Sequence, residues 1–151
     1  MIEPVHPTCI LVPTDFSPGA DAALAWAQSL AAAFRAEVVL LHVVDLSIAA
    51  LAGFPSTLAA VPAAGELLDR IRMESEEEMG RLAARVRGAR GMIREGMPRQ
   101  AILEVAREVG AHLIVMGTHG RTGLTHVVFG SVAEHVVRHS RVPVLTVRQQ
   151  G

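Results

Sequence analysis

The chain contains no lysine: all 14 of its basic residues are arginines. This absence excludes two chemistries, since a Walker A loop needs a lysine on the β- and γ-phosphates and Schiff-base catalysis needs a lysine nucleophile. Tyrosine is absent as well, and Trp26 with four phenylalanines makes up the whole aromatic complement. That is too sparse for the stacking platforms that grip single-stranded nucleic acid. With Cys9 as the single cysteine there is no internal disulfide; its place in the apolar run CILV suits a reduced, buried thiol and a cytoplasmic protein. No apolar run approaches the roughly 18 residues of a membrane span, and the opening MIEPVHPT lacks the basic-then-apolar pattern of a secretion signal. The net charge of -1 offers no strong electrostatic hold on nucleic acid or an anionic membrane.

What the chain does have is alternation. The run TCILVPTD (Thr8 to Asp15) suits a buried strand. Ser17 and Pro18 read as the N-cap and first residue of a helix whose Leu24, Ala27, Leu30, Ala31 and Phe34 recur at helical spacing. AEVVLLHVVD (Ala36 to Asp45) is apolar on both alternating faces, as expected of a strand covered on both sides. Leu46 to Gly65 is small, apolar and broken by glycine and proline, and reads as a long loop. Leu68, Ile71, Ser75, Met79, Leu82 and Val86 then mark an amphipathic helix ended by Gly88, with ESEEE on a solvated face. ARGMIRE reads as a third strand, Arg99 to Val109 as a third helix, HLIVMG as a fourth strand, SVAEHVVRH as a helix and VPVLTVR as a last strand. Five strands alternating with helices predict one α/β domain over residues 1–151, a doubly wound parallel sheet with helices on both faces.

In such sheets ligands lie beyond the carboxyl ends of the strands, where the strand order reverses. The two polar loops at those ends are PTDFS and GTHGRTG, and they are expected to face one another across a cleft. Glycines at 117, 120, 123 and 130 lead into a helix that opens at Ser131. Inward-turned backbone N–H groups, added to the orphan N–H groups and dipole of that helix, form an anion site, and phosphate is the obvious guest. Phosphate contacts alone bind weakly against the cost of association, so a useful ligand also carries a ring. Pro13 and Val43 are placed to wall that ring, and Asp15 to accept from sugar hydroxyls.

Gly117, Gly120, Gly130 and Ser131 meet the pattern glycine, two residues, glycine, nine residues, glycine, then serine or threonine. With ILVPTDFS, LLHVVD, EGMPRQAILEVAREVGAHLIVMGTHG and RVPVLTV, this resembles the universal stress proteins, and in particular their ATP-binding subgroup. The resemblance implies the sheet order 3-2-1-4-5, cytoplasmic residence and a homodimer formed through the last strand, Val142 to Val147. It implies that Pro13, Thr14, Asp15 and Val43 line the adenine and ribose end. Gly117, Gly120, Arg121, Gly130, Ser131 and Val132 would hold the phosphates of ATP, with Mg as its counter-ion, and Met116 at the head of the loop would belong to the same nucleotide-binding set.

Simpler roles stand beside these. Gly117 can serve as a strand-ending turn, Asp15 as a cap beside Ser17, Arg121 as a solvated loop residue, and Ser131 with Glu134 as a capping box. His42 reads as a satisfied strand histidine, and His119 and His126 as phosphate donors or solvent-facing residues. His135 and His139 are four apart, but lack the glutamate and third ligand of a zinc motif; His139 suits a helix C-terminus. Three functions follow: an ATP-dependent dimeric switch or partner-binding module, a slow ATP-hydrolysing or adenylating enzyme, and a module for AMP or cyclic AMP. TDFSPGAD lacks the serine- and glycine-rich SGGxDS loop of adenylating relatives, and no base beyond Asp15 and the loop histidines presents itself.

Overall fold

The computed structural model describes residues 1–46, 61–119 and 129–149, the side chains of 61–64 excepted. Five parallel strands, β1 (Cys9–Pro13), β2 (Glu37–Asp45), β3 (Arg90–Gly96), β4 (Leu113–Gly117) and β5 (Val144–Val147), form one sheet in the order β3-β2-β1-β4-β5. Four helices alternate with them among the described residues: α1 (Pro18–Phe34), α2 (Val61–Arg85), α3 (Pro98–Glu108) and α4 (Ser131–His139).

The sheet is covered on both sides because its strands are apolar on both sides. Ile10, Val12, Val38, Leu40 and Val115 pack with Ala23, Leu24 and Ala27 of α1 and Met79 and Leu82 of α2. Their strand neighbours Leu11, Val39, Leu41, Ile114 and Met116 pack with Ile102, Val105 and Ala106 of α3 and Ala133 and Val136 of α4. The period-two alternation thus divides one run of residues between two cores. Cys9 lies in the second of these, and burial, reinforced by Glu37 and opposed by Arg90, raises its thiol above the usual range.

Local chemistry sets the helix ends. Ser17 caps α1, its Oγ accepting from the Ala20 N–H at 3.3 Å, with Pro18 in the first turn where no N–H is needed. The helix stops at Arg35, whose positive φ of 56° lets its N–H reach the Ala31 carbonyl. Phe34 departs from the expected packed face: it is exposed at the end of the helix, with its ring edge-on to His6. The helix α2 is described from Val61, so the last part of the stretch read as a loop up to Gly65 is helical. Residues 47–60 of that stretch lie outside the described residues. No helix among the described residues is long and apolar enough to cross a membrane.

Candidate functional site

Strand order reverses between β1 and β4, and there a cleft of about 850 Å³ opens at the carboxyl ends of the strands. Pro13, Thr14, Asp15, Val43, Met116, Gly117, Gly130, Ser131 and Val132 all line it. Gly120 and Arg121 lie outside the described residues. His119, read as a phosphate donor or a solvent-facing residue, lines the cleft too, and residues that the sequence did not assign to the site join them: Phe16 and His42 on the β1–β2 side, Thr118 after β4, and Ile71, Glu74 and Glu78 from α2. The acidic face of α2 is exposed, and the same carboxylates form one rim of the cleft.

The β1–α1 turn is held by its own side chains. Thr14 Oγ1 accepts from the Phe16 N–H at 3.0 Å, and Asp15 Oδ1 accepts from the Ser17 N–H at 3.1 Å. These short side-chain loops are the Asx and Ser/Thr turns that such residues favour before a helix. Asp15 therefore does not cap α1; it shapes the turn one step before the cap and remains on the wall of the cleft.

The opposite wall is built differently. Gly130, not Ser131, is the N-cap of α4, with extended dihedrals of φ −69° and ψ 159°. The capping box read from Ser131 and Glu134 does not form, because Ser131 is already the first helical residue and the cap, Gly130, has no side chain to offer. The first intrahelical donor is the Glu134 N–H, bonded to the Gly130 carbonyl at 2.9 Å, so the N–H groups of Ser131, Val132 and Ala133 precede the helical ladder. Those three residues line the cleft. Glu134 instead pairs with Arg138 one turn on.

Packing explains three of the glycines. A Cβ on Gly117 would stand 3.0 Å from the Gly19 carbonyl oxygen, and one on Gly19 only 2.9 Å from the His119 carbonyl oxygen. The start of α1 and the end of β4 thus meet backbone to backbone at the base of the cleft. Gly130 donates its N–H to the Thr118 carbonyl at 2.7 Å, and a Cβ there would lie 3.2 Å from that same oxygen. Gly117 and Gly130 therefore hold the two sides of the loop close.

A sequence profile described as the Universal stress protein family matches residues 8–148. The chain belongs to the universal stress protein family. Universal stress protein MJ0577 of Methanocaldococcus jannaschii is 30% identical over 94% of this chain and 95% of its own length. Its solved structure superposes with a TM-score of 0.86 over 97% of this chain and 99% of that one. The universal stress protein UspA of Lactobacillus plantarum is 29% identical, with a TM-score of 0.83 over 96% of this chain and 100% of its own. A universal stress protein solved in complex with cAMP is 25% identical, with a TM-score of 0.59 over 95% of this chain and 98% of that one. Like these relatives, the chain carries the five-stranded sheet in the order 3-2-1-4-5.

Among the described residues no group of three or more His, Cys, Asp or Glu is arranged to hold a metal ion. His135 and His139 stack at 4.2 Å between ring centroids, and His139 Nδ1 lies 2.9 Å from the His135 carbonyl, as suits a histidine in a last helical turn. Partial desolvation, then the neighbouring His139, Arg99 and Arg138, hold the His135 imidazole below its usual range.

Proposed function

We propose that this universal stress protein is a nucleotide-binding regulator that takes ATP in the cleft between β1 and β4, with Mg as counter-ion. The observation that carries the reading is the pairing of two unlike walls across one cleft. On one wall stands a carboxylate turn at Asp15; on the other, the uncapped start of α4 with three N–H groups ahead of the ladder. A helix start of this kind favours phosphate, and a carboxylate at the end of β1 favours ribose hydroxyls. The flank formed by Pro13, Leu41 and Val43 is apolar and suits a purine ring.

Charge supports the cation. Among the described residues that line the cleft the sole arginine is Arg81, and it pairs with Glu77 and Glu78. A triphosphate therefore meets Asp15, Asp45, Glu74 and Glu78 with little protein charge to balance it, and a divalent ion supplies what the lysine-free chain does not. Arg121 would add to it from the loop. A second reading, in which the ligand is AMP or cyclic AMP, is favoured by the relative solved with cAMP.

Titration of nucleotide-stripped protein with ATP by calorimetry, with and without magnesium, tests the proposal. Saturable binding at up to millimolar ATP, weakened by Asp15→Ala, supports it; its absence overturns it. Competition by AMP and cyclic AMP separates the two readings.

Dimerisation through β5 belongs to the same proposal. Both β3 and β5 are sheet edges. The edge at β3 carries Arg90, Arg94 and Glu95 in ion pairs with Glu37, Glu108 and Arg72, whereas VLTV of β5 carries no charge. An uncharged edge strand is a liability unless it is paired. Light scattering at micromolar protein should give twice the chain mass, and a monomer there would remove the dimer from the proposal.

A further inference from the structure

His42 stands in the carboxyl half of β2, on the wall of the cleft, and meets the Asp15 turn at two points. The ladder between β1 and β2 runs in register to Pro13 and Leu41 and continues with the Thr14 N–H donating to the Leu41 carbonyl at 2.8 Å. One residue on, the bond to the Thr14 carbonyl comes from a side chain: His42 Nδ1 lies 2.8 Å from that oxygen. A carbonyl only accepts, so this bond requires a proton on Nδ1, which donates. The second point is Phe16, whose ring lies against His42 at 4.6 Å between centroids with a tilt of 33°.

Phe16 has a φ of 61°, a left-handed conformation that a bulky side chain rarely adopts and that persists only where the surroundings over-determine it. Within the turn, Thr14 Oγ1 holds the Phe16 N–H and Asp15 Oδ1 holds the Ser17 N–H. Those bonds join residues two apart and cannot say where the turn as a whole sits relative to the sheet. His42 can, because it belongs to β2, whose Leu41 is fully buried and whose register is set over the length of β1.

We propose that His42 is a positioning residue for ligand binding: through the Thr14 carbonyl and the Phe16 ring it sets the turn that presents the Asp15 carboxylate to the cleft. The proposal rests on the nucleotide reading of that cleft and assigns to it a residue that does not itself have to touch the nucleotide. Removing the donor while keeping an aromatic ring against Phe16 should loosen the turn, and restoring a donor at the place of Nδ1 should tighten it again.

Two variants, with ATP and magnesium as the probe, make the test. In His42→Phe the affinity for ATP should fall by about tenfold, a difference readily resolved by titration, and the amides of Phe16 and Ser17 should lose protection from hydrogen exchange. In His42→Asn, whose amide nitrogen takes the place of Nδ1, both should largely recover. In the unmutated protein, imidazole nitrogen shifts should show the proton of His42 on Nδ1. ATP affinity unchanged in His42→Phe, or a His42 found with Nδ1 unprotonated, would overturn the proposal. If the unmutated protein binds no ATP, the nucleotide reading fails; the positioning role is then decided by amide protection alone, and protection unchanged in His42→Phe ends it. Should His42→Phe not fold, the tautomer of the unmutated ring and the behaviour of His42→Asn decide instead.

Discussion

Helices α1 and α4 both start at the carboxyl edge of the sheet and both reach the cleft, yet the first turn of α1 is closed by the chain's own side chains, whereas among the described residues no side chain closes that of α4. At α1, Ser17 Oγ takes the Ala20 N–H, Asp15 takes the Ser17 N–H, and Pro18 removes a donor altogether. At α4 the cap is a glycine with no side chain to offer, and the N–H groups of Ser131, Val132 and Ala133 precede the first intrahelical bond. A helix that satisfies its own start gains stability and has little left for a ligand, while an open start keeps its donors and its dipole for an anion. The difference divides the cleft into a side that shapes the turn carrying a carboxylate and a side that receives negative charge.

The contrast breaks most severely where the two starts touch. Alanine at position 19 normally favours a helix over glycine, but its Cβ would stand 2.9 Å from the His119 carbonyl. Overpacking of this kind costs about 1–3 kcal/mol, so Gly19→Ala should lower the urea midpoint and disturb both sides of the cleft together. A midpoint equal to or above that of the parent would mean that the backbones part freely.

Next comes a change that makes α4 resemble α1. Gly130→Asp places a carboxylate cap at the open start, at dihedrals that any residue adopts. Affinity for ATP should fall by about tenfold or more as the new carboxylate takes the donors and repels phosphate, while the cap offsets the close approach to Thr118 and keeps the melting temperature within a few degrees. Binding that survives would place the phosphates elsewhere. The reverse change, Ser17→Ala, opens α1 and should reduce stability by about 1 kcal/mol in chemical denaturation. It should add no new anion site, because Pro18 supplies no donor there; tighter phosphate binding in this variant would contradict the division of roles. Smallest is Arg35→Gly at the far end of α1, where relief of the positive φ should add up to about 1 kcal/mol and leave ATP titrations unchanged.

Parts of this were legible in the residues themselves. Ser17 followed by Pro18 reads as a helix start on its own, and the runs CILV, VVLL and LIVM announce strands covered on both faces, because burial on two sides leaves no polar alternation. The opening of α4 at Ser131 is legible too, but the capping role of Ser131 is not: Ser131 and Glu134 satisfy the spacing of a capping box, yet Gly130, bonded to the Thr118 carbonyl at the end of β4, takes the cap position and leaves Ser131 as the first helical residue. His42 reads as an ordinary strand histidine, since nothing in LLHVVD reveals that the neighbouring strand ends at Pro13 and that the Thr14 carbonyl just beyond it is left for the ring. The contribution of α2 to the cleft was hidden likewise, because ESEEE has the composition of a solvated face and only the placement of α2 over β2 and β3 makes that face a rim.

Element type, the absence of lysine chemistry and the two polar loops at strand ends follow from local order along the chain, because periodicity, caps and missing side chains act between near neighbours. The meeting of Gly19 with Gly117, the hold of His42 on the Asp15 turn, and the choice of α4 as the open start follow from folding. Each depends on residues far apart in the chain, brought together by a sheet whose order reverses between β1 and β4. Such contacts are set by which strands pair and how closely their backbones approach, and no short stretch of residues carries that information.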